Sequence, residues 1–466
     1  MDWEIRMLRK LALPLLCALP ALNASAGEPA PSVAPKAPSP EPNLRRWRDP
    51  AWQERVAKNI ETYRKGDVVL EVVDAAGKPV PHAEIEARQT RHEFLFGCNA
   101  FVLQQLATPE LNRIYEERFL KLFHFATVPF YWEGTEPARG ELRYREEGSR
   151  DIWRRPPPDR FLPWAEKNGL VLKAHPLLWH AYNPPWLPKD AEELRQLYRK
   201  RFKEIASRYG EKIPFFEVVN ESLVCAKDYP LLTPDRSYVG WAFRENAPLY
   251  PAKAILMINE VTEFNFRPFA SNPYVAQVRG LLEQGTRIDG IGLQYHFFRR
   301  NALDGYLAGK NSDPARLLDL YEGFAEFKPP LYITEITIPS AGPDGEELQA
   351  EVVREHYKLW FCAPTMAGIT WWNLGDGTAV KGENEAQGGL LDREFKPKKA
   401  YVELDRLINT EWKTRAQTRT DAQGRARFRG FFGTYTVAVT AGGKACEFTV
   451  NHSHTRKDVF RLKLEN

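Results

Sequence analysis

Between Asp67 and Arg91 apolar and polar positions alternate. Val68, Leu70 and Val72 share one face, a turn Asp74-Ala75-Ala76-Gly77-Lys78-Pro79 intervenes, and Ile85 and Ala87 resume the period of two. The last fifty residues repeat the pattern: Ala416–Thr420, an Asp421-Ala422-Gln423-Gly424 turn, Ala426–Phe428, Tyr435–Thr440, a Gly442-Gly443 turn, Cys446–Val450, and a final strand over Val459–Leu464. Two thin sets of strands at opposite ends of the chain predict one discontinuous β-sandwich, residues 60–92 with 411–466. As separate appendages each would bury too little surface to stand alone.

The centre, residues 93–410, has another rhythm. Eight short apolar runs are separated by helical stretches: Phe94–Asn99, Phe123–Tyr131, Val171–Trp179, Phe215–Glu221, Ile255–Glu260, Ile288–His296, Leu331–Ile338 and Gly368–Asn373. In Ala191–Tyr209, for example, Leu194, Leu197, Tyr198, Phe202 and Ile205 recur at helical spacing. Alternating strand and helix signals predict an α/β protein with a parallel sheet, and eight such units predict a (β/α)8 TIM barrel.

Composition narrows the class. The chain has 466 residues, 65 Lys plus Arg against 61 Asp plus Glu, and a formal charge of +4. With no basic run, that balance excludes a nucleic-acid partner held by phosphate electrostatics. Met1–Ala26 reads as a secretory signal peptide: Arg6, Arg9 and Lys10 precede the apolar stretch Leu11–Leu22 and the small-residue site Ala24-Ser25-Ala26. Residues 27–45 are rich in Pro and Ala and predict a semi-extended tether. A secreted or periplasmic protein, a monomer with no membrane segment after signal cleavage, is therefore expected. Cys98, Cys225, Cys362 and Cys446 are scattered and specify neither a metal site nor a disulfide. His452 and His454 are read as loop residues and not as metal ligands, and no metal or cofactor is expected.

In barrels of this kind active-site residues sit at the C-terminal ends of the strands. Those ends are polar here: Trp179-His180, Asn220-Glu221, Asn259-Glu260, Gln294-Tyr295-His296, Glu335 and Trp371-Trp372-Asn373. Burying such groups beside Val and Ile is costly unless they pair or serve chemistry. Glu221 and Glu335 interrupt otherwise apolar runs on strands four and seven, across the mouth from one another. A facing carboxyl pair is what glycoside hydrolysis requires.

The segments His175-Pro176-Leu177-Leu178-Trp179-His180, Glu217-Val218-Val219-Asn220-Glu221, Met257-Ile258-Asn259-Glu260, Ile288–His296, Ile333-Thr334-Glu335 and Ile369-Thr370-Trp371-Trp372 resemble glycoside hydrolase family 10, the β-1,4-xylanase family. The likeness runs from Phe96-Gly97 to Pro397–Tyr401. It implies a retaining mechanism with Glu335 as nucleophile and Glu221 as acid/base, the Glu335 charge raising the pKa of Glu221. It also implies that Asn220 bonds the sugar 2-OH, His296 orients Glu335, Gln294 contacts Glu221, His175 and His180 line the cleaved sugar's subsite over Trp372, and Asn259 supports the pair. Trp186 is a candidate stacking platform or a packing residue. The chain departs from the family on strand two, where Thr127, Val128 and Tyr131 stand in place of the polar clamp for the second sugar, and after strand eight, where a charged loop Lys381–Gln387 replaces the second Trp.

These features predict hydrolysis of β-1,4-xylan or a related decorated β-glycan, a polysaccharide or oligosaccharide. The alternatives are a non-catalytic carbohydrate-binding barrel and a glycosidase of different β-glycoside specificity on the same fold.

Overall fold

The computed structural model describes residues 41–455 and 458–465. The leader Met1–Ala26 and the tether as far as residue 40 lie outside them.

The first two strands are those of the predicted hairpin, β1 (Lys65–Val73) and β2 (Glu84–His92). Eight short strands follow: β3 (Leu95–Asn99), β4 (Phe125–Pro129), β5 (Val171–His175), β6 (Phe215–Asn220), β7 (Ile255–Glu260), β8 (Gly290–His296), β9 (Leu331–Thr337) and β10 (Met366–Trp371). They pair in parallel and in chain order, and β10 closes on β3, so the sheet is a complete barrel. Closure leaves no sheet edge to protect. The third run is shorter than its sequence pattern because Pro176 has no N–H to continue the ladder, so Trp179 and His180 stand on the loop beyond β5. The helix Ala191–Tyr209 forms over the residues its periodicity marks. Asp190 caps it by accepting from the N–H groups of Glu192 and Glu193.

The remaining strands are β11 (Arg415–Arg419), β12 (Arg425–Phe431), β13 (Gly433–Ala441), β14 (Lys444–His452) and β15 (Asp458–Lys463). They combine with β1 and β2 into two sheets, β12-β1-β15 and β11-β2-β13-β14. Each sheet thus takes one strand from the N-terminal segment and the rest from the C-terminal one. Val68, Leu70, Val72, Ile85, Ala87, Val437 and Val439 are buried between them, the face their alternation assigns.

Two elements were not legible as such. Residues 41–45 of the predicted tether belong to a helix, Glu41–Trp47, and a second helix, Pro50–Tyr63, precedes β1. Asp49 caps the latter, with Pro50 at its first turn. Trp47 stacks on His356 at 4.3 Å and Gln53 donates to Glu355 at 2.9 Å, so these helices pack on the barrel's outer helix Gly345–Cys362. Cys98, Cys225, Cys362 and Cys446 are all unbridged. Among the described residues no helix is long and apolar enough to cross a membrane.

The sandwich is joined to the barrel through Trp412, fully buried and stacked on Phe361 at 4.2 Å and on Phe96 at 5.9 Å. Trp412→Ala is expected to lower stability by about 3–5 kcal/mol. Urea denaturation checks this, and a change within error of zero would remove Trp412 as the junction.

Candidate active site

The base of the barrel mouth is a layer of buried charge. Lys173 and His175 alternate on β5 and so point to the same side, and Glu217 reaches them from β6. Lys173 Nζ donates to Glu217 Oε2 at 2.7 Å and His175 Nδ1 bonds Glu217 Oε1 at 2.8 Å, all three side chains being essentially without solvent contact. His175 and Lys173 hold the Glu217 carboxyl at about 2 against the upward push of burial. Asn259 on β7 ties this layer to the next. Its Nδ2 is shared among Glu335 Oε1 at 2.9 Å, Asn220 Oδ1 at 3.0 Å and Glu217 Oε1 at 3.4 Å, while Thr334 donates to its Oδ1 at 2.6 Å. Gly292 makes room for that amide: a Cβ there would lie 2.5 Å from Asn259 Oδ1.

Above this layer sit the two carboxylates. Glu335 on β9 accepts from Asn259, from Gln294 at 3.3 Å and from His296 Nε2 at 3.2 Å. Burial lowers the pKa of His296 to about 4, so its ring is neutral; with Nε2–H given to Glu335, Nδ1 accepts from Thr337 Oγ1 at 2.9 Å. Glu221 lies one residue past β6 with φ of 52°, a left-handed conformation that a non-glycine residue adopts at a cost. Its backbone N–H bonds Asn259 O at 2.9 Å, and its carboxyl accepts from Trp179 Nε1 at 3.2 Å and from Gln294 Nε2 at 2.8 Å. One amide nitrogen of Gln294 therefore reaches both carboxylates, which brings their Oε1 atoms within two hydrogen-bond lengths.

Two buried acids this close do not ionise together at neutral pH. Glu221 is raised to about 8, mainly by burial and then by the Glu335 charge, so the like-charge effect expected from sequence is present but secondary. Glu335 is raised to about 7 by burial, with His175 and Lys173 pulling it down. Glu335 is the member that ionises first, and Glu221 keeps the shared proton.

The other predicted residues are distributed unevenly around this pair. Asn220 Oδ1 accepts from Asn259 and from Gln294 at 3.4 Å. Trp372 is buried edge-on to His175 at 5.4 Å and to His296 at 6.0 Å, within an aromatic group with Phe101, Tyr131 and Trp179. His180 packs its ring against Trp179 and Tyr229. Trp186 is half-buried, donates from Nε1 to Glu136 O at 3.1 Å and lies edge-on to Trp132. Glu260 turns out of the mouth to accept from Ser222 and the Leu223 N–H. Sequence reasoning assigned no role to Lys173, Glu217, Thr334 or Trp179. The signal for the first two was available, since each is a charge inside a five- or six-residue apolar strand.

Among the described residues the one His/Cys/Asp/Glu set close enough to share a metal ion is His175, Glu217 and Glu335, with ligand atoms within 4.8 Å. The Lys173 ammonium already supplies the positive charge that Glu217 needs there. His454 pairs with Glu93, and His452 packs on Phe432 at 4.7 Å.

The family model "Glycosyl hydrolase family 10" matches residues 133–406. Endo-1,4-beta-xylanase B of Thermotoga neapolitana is 28% identical over 300 residues, 61% of this chain and 80% of that one. Anti-sigma-I factor RsgI6 of Acetivibrio thermocellus is 26% identical over 413 residues, 86% of this chain but only 48% of that one, so this chain spans about half of that relative. The crystal structure of xylanase 10B from Thermotoga petrophila in complex with xylobiose superposes with a TM-score of 0.57 at 23% identity, covering 68% of this chain and 95% of that one, a likeness of fold.

Lys173→Met would leave Glu217 buried without its main cation. Stability is expected to fall by about 3–5 kcal/mol, measured by denaturant titration; a variant as stable as the parent would show that the pair is dispensable.

Proposed function

Since the chain belongs to glycosyl hydrolase family 10 and is an endo-1,4-β-xylanase-like glycoside hydrolase, we propose that it cleaves β-1,4-xylan or a related decorated β-glycan with retention of configuration, as an exported monomer. The observation that carries this reading is the single Gln294 nitrogen bonded to both Glu221 and Glu335. A donor shared by both Oε1 atoms keeps those atoms within two hydrogen-bond lengths of one another, which supports the closer carboxyl spacing of a double displacement over the wider gap that an inverting enzyme leaves for a water.

In the first step a Glu335 oxygen bonds the anomeric carbon as the glycosidic C–O bond breaks, and the Glu221 proton passes to the leaving oxygen. In the second, Glu221 takes a proton from water, whose oxygen bonds the anomeric carbon and expels Glu335. Burial suits both roles: it keeps Glu221 protonated at rest, and it makes the Glu335 charge one that chemistry relieves. Asn259 and His296 fix the attacking carboxylate, and Asn220 stands beside them where it reaches a sugar 2-OH. Export is supported by the signal pattern at Met1–Ala26.

Below about 7 Glu335 takes up a proton and ceases to be a nucleophile; above about 8 Glu221 gives up the proton that the leaving group needs. A narrow bell-shaped pH profile of kcat/KM is therefore expected, with its maximum between these values. A profile flat across that window would contradict the two assignments.

Glu221→Ala is expected to lose roughly 10²–10⁴-fold in kcat on xylan and, on an activated aryl glycoside, to be rescued by azide with formation of the β-glycosyl azide. Glu335→Ala should yield no β-azide. Product NMR distinguishes the outcomes, and wild-type rates in both variants would end the proposal.

A further inference from the structure

A cavity of about 500 Å³ opens between the loop after β4 and the loop after β10. It adjoins Tyr131, which stands on the wall where the sequence lacks the family's polar clamp, through Arg155, and its chemistry is ionic. Arg154, Arg155 and Lys381 line it together with one carboxylate, Glu133. Arg154 is 4% exposed, in a left-handed conformation with φ of 61°. It donates to Asn373 Oδ1 at 2.6 Å and to Thr378 O, and lies 5.4 Å over the Phe101 ring. No carboxylate approaches it within ion-pair distance among the described residues; Glu383, whose charge acts on it, accepts from Asn373 Nδ2 at 3.0 Å. Arg155 is 6% exposed, stacks 3.8 Å over Tyr131 and 5.1 Å from Tyr182, donates from Nη1 to Arg154 O at 3.1 Å, and meets Glu133 at 3.5 Å. The Nε atoms of both arginines are buried without a hydrogen-bond partner among the described residues. Two guanidiniums with unpartnered Nε–H groups and the exposed Lys381 thus line one cavity, a donor set suited to an anion.

The cavity is one ring away from the chemistry. Tyr131, under Arg155, bonds His175 Nε2 through its hydroxyl at 3.1 Å, and His175 is 3.9 Å from Glu335. Tyr182, on the same wall, packs 5.3 Å from Trp179, which donates to Glu221. Trp153, 48% exposed at the rim, offers a flat face of the kind that stacks on sugars.

We propose that this cavity recognises a carboxylate-bearing sugar, a uronic acid branch of the β-glycan, next to the sugar that is cleaved. The inference rests on the hydrolase reading given above and names its substrate class. A guanidinium is a donor-only fork that matches a carboxylate in two parallel hydrogen bonds. An unbranched neutral sugar would satisfy few of these donors and would leave their charge unopposed.

The test uses the full chain on xylan with uronic acid branches and on the same polymer after its uronic carboxyls have been reduced to alcohols, which removes the charge and keeps every linkage. Reduction is expected to lower kcat/KM about tenfold or more. The ratio between the two polymers should fall towards one in Arg155→Gln, be partly kept in Arg155→Lys, and fall in the exposed Lys381→Ala, which reports even if changes at the buried arginine prevent folding. Equal kcat/KM on both polymers, or a ratio unchanged in all variants, overturns the uronate proposal and leaves the hydrolase standing. Failure to cleave either polymer, with aryl β-xylosides also untouched, overturns the hydrolase reading itself and this proposal with it.

Discussion

A carboxylate sealed inside a barrel must be matched by a cation and by hydrogen bonds, or it will not remain ionised. Glu217 is matched by Lys173 and His175, both within hydrogen-bond distance. The active site is assembled on top of that triad. His175 is turned by it towards Tyr131 and Glu335; Asn259 spans from it to Glu335 and Asn220; and the positive charge beneath lowers the cost of a second anion in the same cavity. The position of the reacting groups follows from satisfying one buried charge completely.

The same physics distinguishes two chemically identical side chains. Glu335 sits within β9, next to a shift in its register against β8, surrounded by donors and 3.9 Å from His175. Glu221 sits past the strand end in a left-handed turn, against an indole and one amide. Donor supply and distance from positive charge, more than mutual repulsion, decide which acid gives up its proton first.

Much of this was readable beforehand because it depends on short-range pattern. Period two at both chain ends, the eight apolar runs, and acids interrupting apolar strands each reflect which face of a strand is buried. What was not readable depends on closure of the barrel. Lys173 and Glu217 are 44 residues apart and become a pair only when β5 and β6 lie side by side. Tyr131 could be seen to replace a polar residue, but not that it is capped by an arginine from a loop more than twenty residues on. The Glu41–Trp47 and Pro50–Tyr63 helices were obscured because Pro and charged residues dominate their exposed sides, while buried residues such as Trp47 find their partner on a helix some three hundred positions away.

The discontinuous sandwich has a consequence for biogenesis. β1 and β2 leave the ribosome before β11 to β15, and β2 gains its two neighbours, β11 and β13, only after more than three hundred further residues have been made. Until then their edges stay open, a state prone to chaperone capture and proteolysis. A chain cut short before β11 leaves β1 and β2 without the C-terminal strands that pair with them, so completion of the sandwich depends on the two segments meeting across the whole barrel.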